Sequence, residues 1–243
     1  MTNDGTPEQF ARLHECIREI LPDKPVLAVT GNHDFPHDPI PQVLDGVCDY
    51  WTLQNSLLQN AEQLGWKVEQ DISGAYAAVQ GDTEIIGLNA ASHWRRFVFR
   101  DGEQLAWLDH HLEQSTANRH IILCHAPLFK HIPMRSSVTQ PYLSRDKELQ
   151  RIVDRYRNII FLSGHTHFSV NCLNGCAEKD ERGNIYINAG SLRPAMLKPE
   201  EPLQPEEWTD GDGIALNIHS DFLGITGFSA KTAHRFSRCN YNL

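Results

Sequence analysis

Apolar positions recur along this chain in two rhythms, one of helices and one of short buried strands. The stretch "TPEQFARLHECIREIL" at 6–21 places Phe10, Leu13, Ile17, Ile20 and Leu21 on one helical face. Thr6 suits the N-cap, Pro7 the first helical position, and Gln9 the far side of a capping box. Residues 41–65 read as mostly helical, with Leu44, Val47, Leu53, Leu57, Leu58 and Leu64 for burial. Two more helices follow at "EQLAWLDHHLEQ" and "DKELQRIVDRY". Between them run strand-like segments: Pro25–Thr30, "GAYAAVQ", "TEIIGLN", "HIILCH", "IIFLSG" and "NIYINAG", with "IALNIHS" and "LGITGFS" as a closing hairpin. Strands alternating with helices predict an α/β chain.

There is no internal repeat. The one shift in composition is 194–212, rich in Pro and Glu. It reads as a surface loop rather than a linker, with 213–243 supplying C-terminal strands that complete a sheet. Residues 1–243 are therefore taken as one domain, which is ordinary for that length.

Composition narrows the picture. Net charge is −9 with no basic cluster, which argues against general nucleic-acid binding. No run of eighteen apolar residues exists, so no membrane span is expected. Six scattered cysteines without a CxxC suit reduced thiols and a cytoplasmic location, an upstream targeting segment being left open.

Thirteen histidines are more than average composition supplies. Three apolar runs end in polar donors: "VLAVT" in Gly31-Asn32-His33-Asp34, "HIILC" in His125, and "IIFLS" in Gly164-His165-Thr166-His167. If these strands lie parallel, the donors converge at the carboxyl edge where α/β sheets bind ligands. Imidazoles with an amide oxygen suit Zn, Mn, Fe or Co. Each motif alone reads blandly, as a polar turn, a cap at Asp34 or a hydrogen-bonded histidine; together they favour a metal site. His110 and His111 are expected to be solvated on a charged helix. The C-x3-C pair Cys172 and Cys176 gives a zinc site only weak support. Lys130, His131 and Arg135 either face a phosphate or lie in an exposed loop, and the second reading is preferred.

GNHD, a strand-end "HAP" and GHTH, in that order, resemble the last three signature blocks of the calcineurin-like metallophosphoesterases. "IIGLNAASHWRRFVFRDGEQLAWLDHHL" and "YINAGSLRP" resemble the cyclic-nucleotide phosphodiesterase branch. The resemblance implies an αββα sandwich of two mixed β-sheets flanked by helices. It implies two divalent transition metal ions (Mn, Fe, Zn or Co) and attack of a bridging hydroxide on a phosphodiester or phosphomonoester. Asn32, His125 and His165 would bind the second metal and His167 the first. His33 would act on the transition state or the leaving oxygen, with Asp34 orienting its ring. The implied partner is a small phosphoester, a nucleotide among the candidates; an oligomer is left open.

The chain departs from that family in one respect. The D-x-H block and the G-D block with its bridging aspartate do not precede GNHD. "MTNDGT" resembles the tail of the second block, so Met1 is read as an artificial or misassigned start, with the first strand and its motif missing and activity impaired. The alternative is a non-catalytic relative that keeps the fold and a partial metal site. A metallo-β-lactamase-type hydrolase is excluded for want of an HxHxDH motif.

Overall fold

The computed structural model describes residues 5–35, 49–93, 96–99, 103–131, 139–171, 176–192 and 210–243. Helix α1 spans Pro7–Ile20, and the Thr6 hydroxyl accepts the Gln9 N–H at 3.4 Å as its cap. It packs on α2, Asp49–Gln63, through Phe10, Leu13 and Ile17. Ile20 and Leu21, expected on that buried face, are 74% and 41% exposed, because α1 packs through its earlier turns. In α2, Leu53, Leu57 and Leu58 are buried as expected, while Leu44 and Val47 lie outside the described residues.

Seven strands form one sheet in the order β1 (Lys67–Gln70), β2 (Tyr76–Gln80), β3 (Thr83–Leu88), β6 (Arg119–Cys124), β7 (Ile159–Ser163), β9 (Ile185–Asn188), β8 (Ala177–Lys179). The four strands β3, β6, β7 and β9 run parallel, and the outer ones are antiparallel. A short hairpin, β4 (Ala91–His93) and β5 (Arg96–Val98), stands apart. Helices α3, Glu103–Gln114, and α4, Asp146–Val153, supply the crossovers from β3 to β6 and from β6 to β7.

Strand alternation decides what each face meets. Ile86, Leu88, Ile122 and Phe161 point to Leu105, Leu108 and Leu112 of α3 and Leu149, Ile152 and Val153 of α4. Ile121, Ile160, Ile185 and Ile187 point the other way, onto Leu223 and Ile225. Those two belong to a second sheet, β10 (Asp212–Ile218), β11 (Phe222–Ser229) and β12 (Arg235–Asn242). The layers are thus helix, sheet, sheet.

Two expectations need correction. The second sheet is antiparallel among the described residues rather than mixed, because its strands follow one another through tight connections that reverse direction. The run Pro25–Thr30 is extended but pairs in no ladder among the described residues. Two of its backbone groups, the Ala28 carbonyl and the Thr30 N–H, are bonded by side chains instead. Tyr50 and Tyr76 hydroxyls donate to the Ala28 carbonyl at 2.9 and 3.1 Å. The Thr30 N–H donates to Asn89 Oδ1 at 2.8 Å, and the Thr30 hydroxyl to the Ala90 carbonyl at 3.1 Å. Buried backbone needs partners, and here an aromatic and amide cradle provides them.

His111 also departs from expectation. His110 is exposed, but the His111 side chain is 13% exposed, with Nε2 2.7 Å from Glu84 Oε1. Most of the Pro/Glu-rich segment 194–212 lies outside the described residues.

Candidate metal centre

The parallel neighbours β6 and β7 pair Leu123 with Leu162, so the residues just past each strand end side by side. The Gly164 N–H donates to the His125 carbonyl at 2.9 Å, and the His125 and His165 rings stand 5.3 Å apart. Phe97, fully buried, lies 5.3 Å from the first ring and 4.9 Å from the second. Tyr142 meets His165 edge-on at 4.5 Å. Aromatic walls on both imidazoles restrict how each ring turns.

The GNHD residues form a single 3-10 turn, Asn32–Asp34. Buried Asp34 closes it by accepting the Gly31 N–H at 2.9 Å. The turn carries Asn32 to the strand ends, where Asn32 Oδ1 lies 3.2 Å from His125 Nε2. Gly31 makes that approach feasible. A Cβ at Gly31 would stand 3.0–3.2 Å from three atoms of the His125 ring.

Burial holds the His125 imidazolium pKa down to about 4; Asp34 opposes the shift, and His167 and His33 reinforce it. Asp34, His167 and His33 therefore lie within electrostatic reach of His125. His125 is neutral at ordinary pH, the state that coordinates metal.

His165 and His167 both adopt left-handed backbone, φ 65° and 56°. Such residues cost on the order of 1–3 kcal/mol each and persist only where neighbours hold them. Two side chains do so. Asn188, at the end of β9, accepts from the Thr166 hydroxyl at 3.1 Å and donates to the Phe168 carbonyl at 2.9 Å. Asp212, at the start of β10, accepts from the Ser169 hydroxyl, from the Val170 N–H at 3.2 Å and from the Ser191 N–H at 3.2 Å. Burial raises the Asp212 carboxyl pKa, and those three bonds oppose the rise.

Sequence reasoning noted Asn188 only within a resemblance and missed Asp212. The signal was "GDG" ahead of an alternating apolar run, a carboxylate where a strand begins. Of the phosphate-facing candidates, His131 is bonded to Glu178 at 2.8 Å and stacked on Tyr186, and Lys130 is exposed. Arg135 and Cys172 lie outside the described residues. Cys176 is buried between the two sheets.

The calcineurin-like phosphoesterase profile matches residues 1–169, and the chain belongs to that family. A probable cyclic nucleotide phosphodiesterase of Synechococcus sp. is 23% identical over 168 residues, which cover 69% of this chain and 54% of that protein. Among solved structures, a purple acid phosphatase from yellow lupin (Lupinus luteus) seeds aligns with a TM-score of 0.50 at 15% identity, over 88% of this chain and 40% of that one. That likeness is one of fold. The chain spans about half the length of the curated relative it matches.

The donors fit a metal in kind and in part in place. Two ligands bonded to one ion at about 2.1 Å stand roughly 3.0–3.4 Å apart, which brackets the Asn32–His125 separation of 3.2 Å. No three His, Cys, Asp or Glu side chains among the described residues are grouped to hold an ion. No helix among them is long and apolar enough to cross a membrane.

Proposed function

We propose that the chain is the metal-binding part of a phosphoesterase, hydrolysing a phosphodiester or phosphomonoester. Asn32, His125 and His165 would hold one divalent transition ion, and His167 would face a second. The observation that carries this reading is the Asn32–His125 contact at the carboxyl edge, beside His165 and formed across two separate motifs. When bound, such ions supply Lewis-acid charge and lower the pKa of water.

The chain's own residues would do the rest. Neutral His125, whose Nε2 faces Asn32 Oδ1, would need only a change of tautomer, and no loss of an imidazolium proton, to offer Nε2 to an ion. His33, one residue past Asn32, stands beside any phosphoryl group held there and would hold the proton needed by the departing oxygen. Asp34 keeps the turn closed, which fixes the direction of both preceding side chains. A nucleotide is the favoured small substrate, in line with the named activity of the Synechococcus relative.

A second reading, a non-catalytic relative with a partial site, is favoured by one observation: the described residues assemble no group of three metal-ligating acidic, thiol or imidazole side chains. Elemental analysis of the purified chain with Mn, Zn, Fe or Co, alongside a panel of nucleotide and model phosphoesters, separates the two. The donors in hand are neutral, so we expect at most one weakly held ion per chain and negligible turnover without the two acidic blocks upstream of GNHD. A chain that carries D-x-H and G-D blocks ahead of GNHD should bind two ions and hydrolyse a phosphoester. An extended chain that binds metal but turns over nothing would leave the second reading standing.

A further inference from the structure

Cys176 and Cys239 lie at the edge strands of different sheets. Cys176 immediately precedes β8, the last strand of the seven-stranded sheet, and Cys239 lies in β12, the last strand of the three-stranded one. Both thiols are free, and each shifts the titration of the other. Independent geometry places the strands together. Tyr241, two residues beyond Cys239 and so on the same strand face, donates its hydroxyl to the Ala177 carbonyl at 3.0 Å. The side chains of Cys239, Tyr241 and Leu243 all pack on the apolar cluster that contains Cys176. No main-chain ladder joins β8 to β12.

We propose that Cys176 and Cys239 are an oxidisable dithiol, closed by a low-molecular-weight disulfide into a covalent link between the two sheets. Cys239, the less buried thiol, enters first. Its thiolate attacks one sulfur of the small disulfide, releases one small thiol and leaves a mixed disulfide. The Cys176 thiolate then displaces the second small thiol. Two protein thiols are oxidised, one small disulfide is reduced to two thiols, and the two protons pass to those leaving groups.

Burial holds the Cys176 thiol up at about 11, and burial likewise raises that of Cys239. The exchange is therefore slow at neutral pH and accelerates with alkalinity, since only thiolate attacks. The link also reaches the candidate site. The Cys176 carbonyl accepts the Asn188 N–H at 2.8 Å, and Asn188 braces the loop that carries His165 and His167. Neither the fold nor the proposed hydrolysis depends on this dithiol.

The test incubates the full native chain with oxidised glutathione across a pH series, then traps free thiols and maps peptides. The expected result is a Cys176–Cys239 cross-linked peptide, a chain lighter by two hydrogen atoms, and a rate that climbs with pH. The oxidised form should melt roughly 5–10 °C higher, because the link closes a long loop, and dithiothreitol should reverse the gain. Cys239→Ser should abolish both link and gain while the reduced protein melts much as before; Cys176→Ala should give the same readout by a different substitution. Three results would overturn the proposal: both cysteines still alkylated after prolonged alkaline oxidation, glutathione retained on Cys239 without transfer, or Cys176 joined instead to Cys172.

Discussion

Glu84 and His120 sit opposite one another in the β3–β6 register, and their side chains meet at 2.9 Å. The other Glu84 oxygen takes His111 of α3 at 2.7 Å, and the Ser115 hydroxyl adds a third bond at 3.0 Å. One buried carboxylate thus ties a helix to two strands. Burial alone would push the Glu84 carboxyl up, but the imidazole bonds outweigh it and hold it at about 2, against 4.5 when free. The Glu84 bond raises His111 above its ordinary 6.5, with burial opposing.

Stability should therefore depend on pH from both sides. The Glu84 contribution is present above about pH 4.5 and is lost as pH falls toward 2. The His111 contribution is full below about pH 6.5 and fades as pH rises through its elevated folded value. Both are in force only between those limits. Glu84→Gln should cost about 2–3 kcal/mol there and flatten the profile, as read from thermal midpoints across pH. An unchanged profile in that variant would rule the clamp out.

Gly31→Ala tests the close approach of turn and ring. Gly31 has φ −113°, so alanine brings no backbone strain, yet its Cβ must displace His125 by a few tenths of an ångström. We expect metal affinity to fall by about tenfold while the melting temperature barely moves, since one misplaced ligand is felt mainly by the ion. Titration with Mn or Zn, paired with calorimetry, reads both quantities.

Asp212→Ala should be among the costliest single changes. It strands the Ser169 hydroxyl and the Val170 and Ser191 N–H groups, at about 2–4 kcal/mol together. Gly190→Ala should be comparable: its φ is 82°, and the new Cβ would lie 2.4 Å from Asp212 Oδ1. Urea unfolding measures each, and a loss under 1 kcal/mol in both would show that the loop is held otherwise.

His33 and His165 should separate by readout. In a chain that turns over a phosphodiester, His33→Ala should lower kcat by about 10²–10⁴-fold and leave metal content intact, with the largest loss for poor leaving groups. His165→Ala should empty the metal site first. Metal lost along with activity in His33→Ala would make His33 a ligand.

The placement of the candidate donors was legible because they are contiguous with the runs that carry them. His125 and Gly164–His167 follow directly on β6 and β7, so reading an apolar run and its end located the edge. Pro25–Thr30 was misread for a physical reason: an apolar run reports burial, and burial does not require a ladder. Tyr50, Tyr76 and Asn89, which bond the Ala28 carbonyl and the Thr30 N–H, lie 22 to 59 positions away, beyond any local pattern. The strand β12 escaped because Arg and Asn interrupt it, although Cys239, Tyr241 and Leu243 alternate at period two. His111 looked solvated because its partner Glu84 is a charge hidden in a strand.

The cradle around residues 25–30 carries a consequence for kinetics. Strands in the seven-stranded sheet can open only with their neighbours, whereas this segment hangs from individual hydroxyl and amide bonds and can detach alone. Its amides should exchange with solvent hydrogen far faster than those of β6 and β7. Asn32 rides on the loosely tethered piece and His125 on the locked one. An ion gripping both would weld a low-stability unit to a high-stability one, and protection factors at Leu27–Gly31 would become a direct gauge of occupancy.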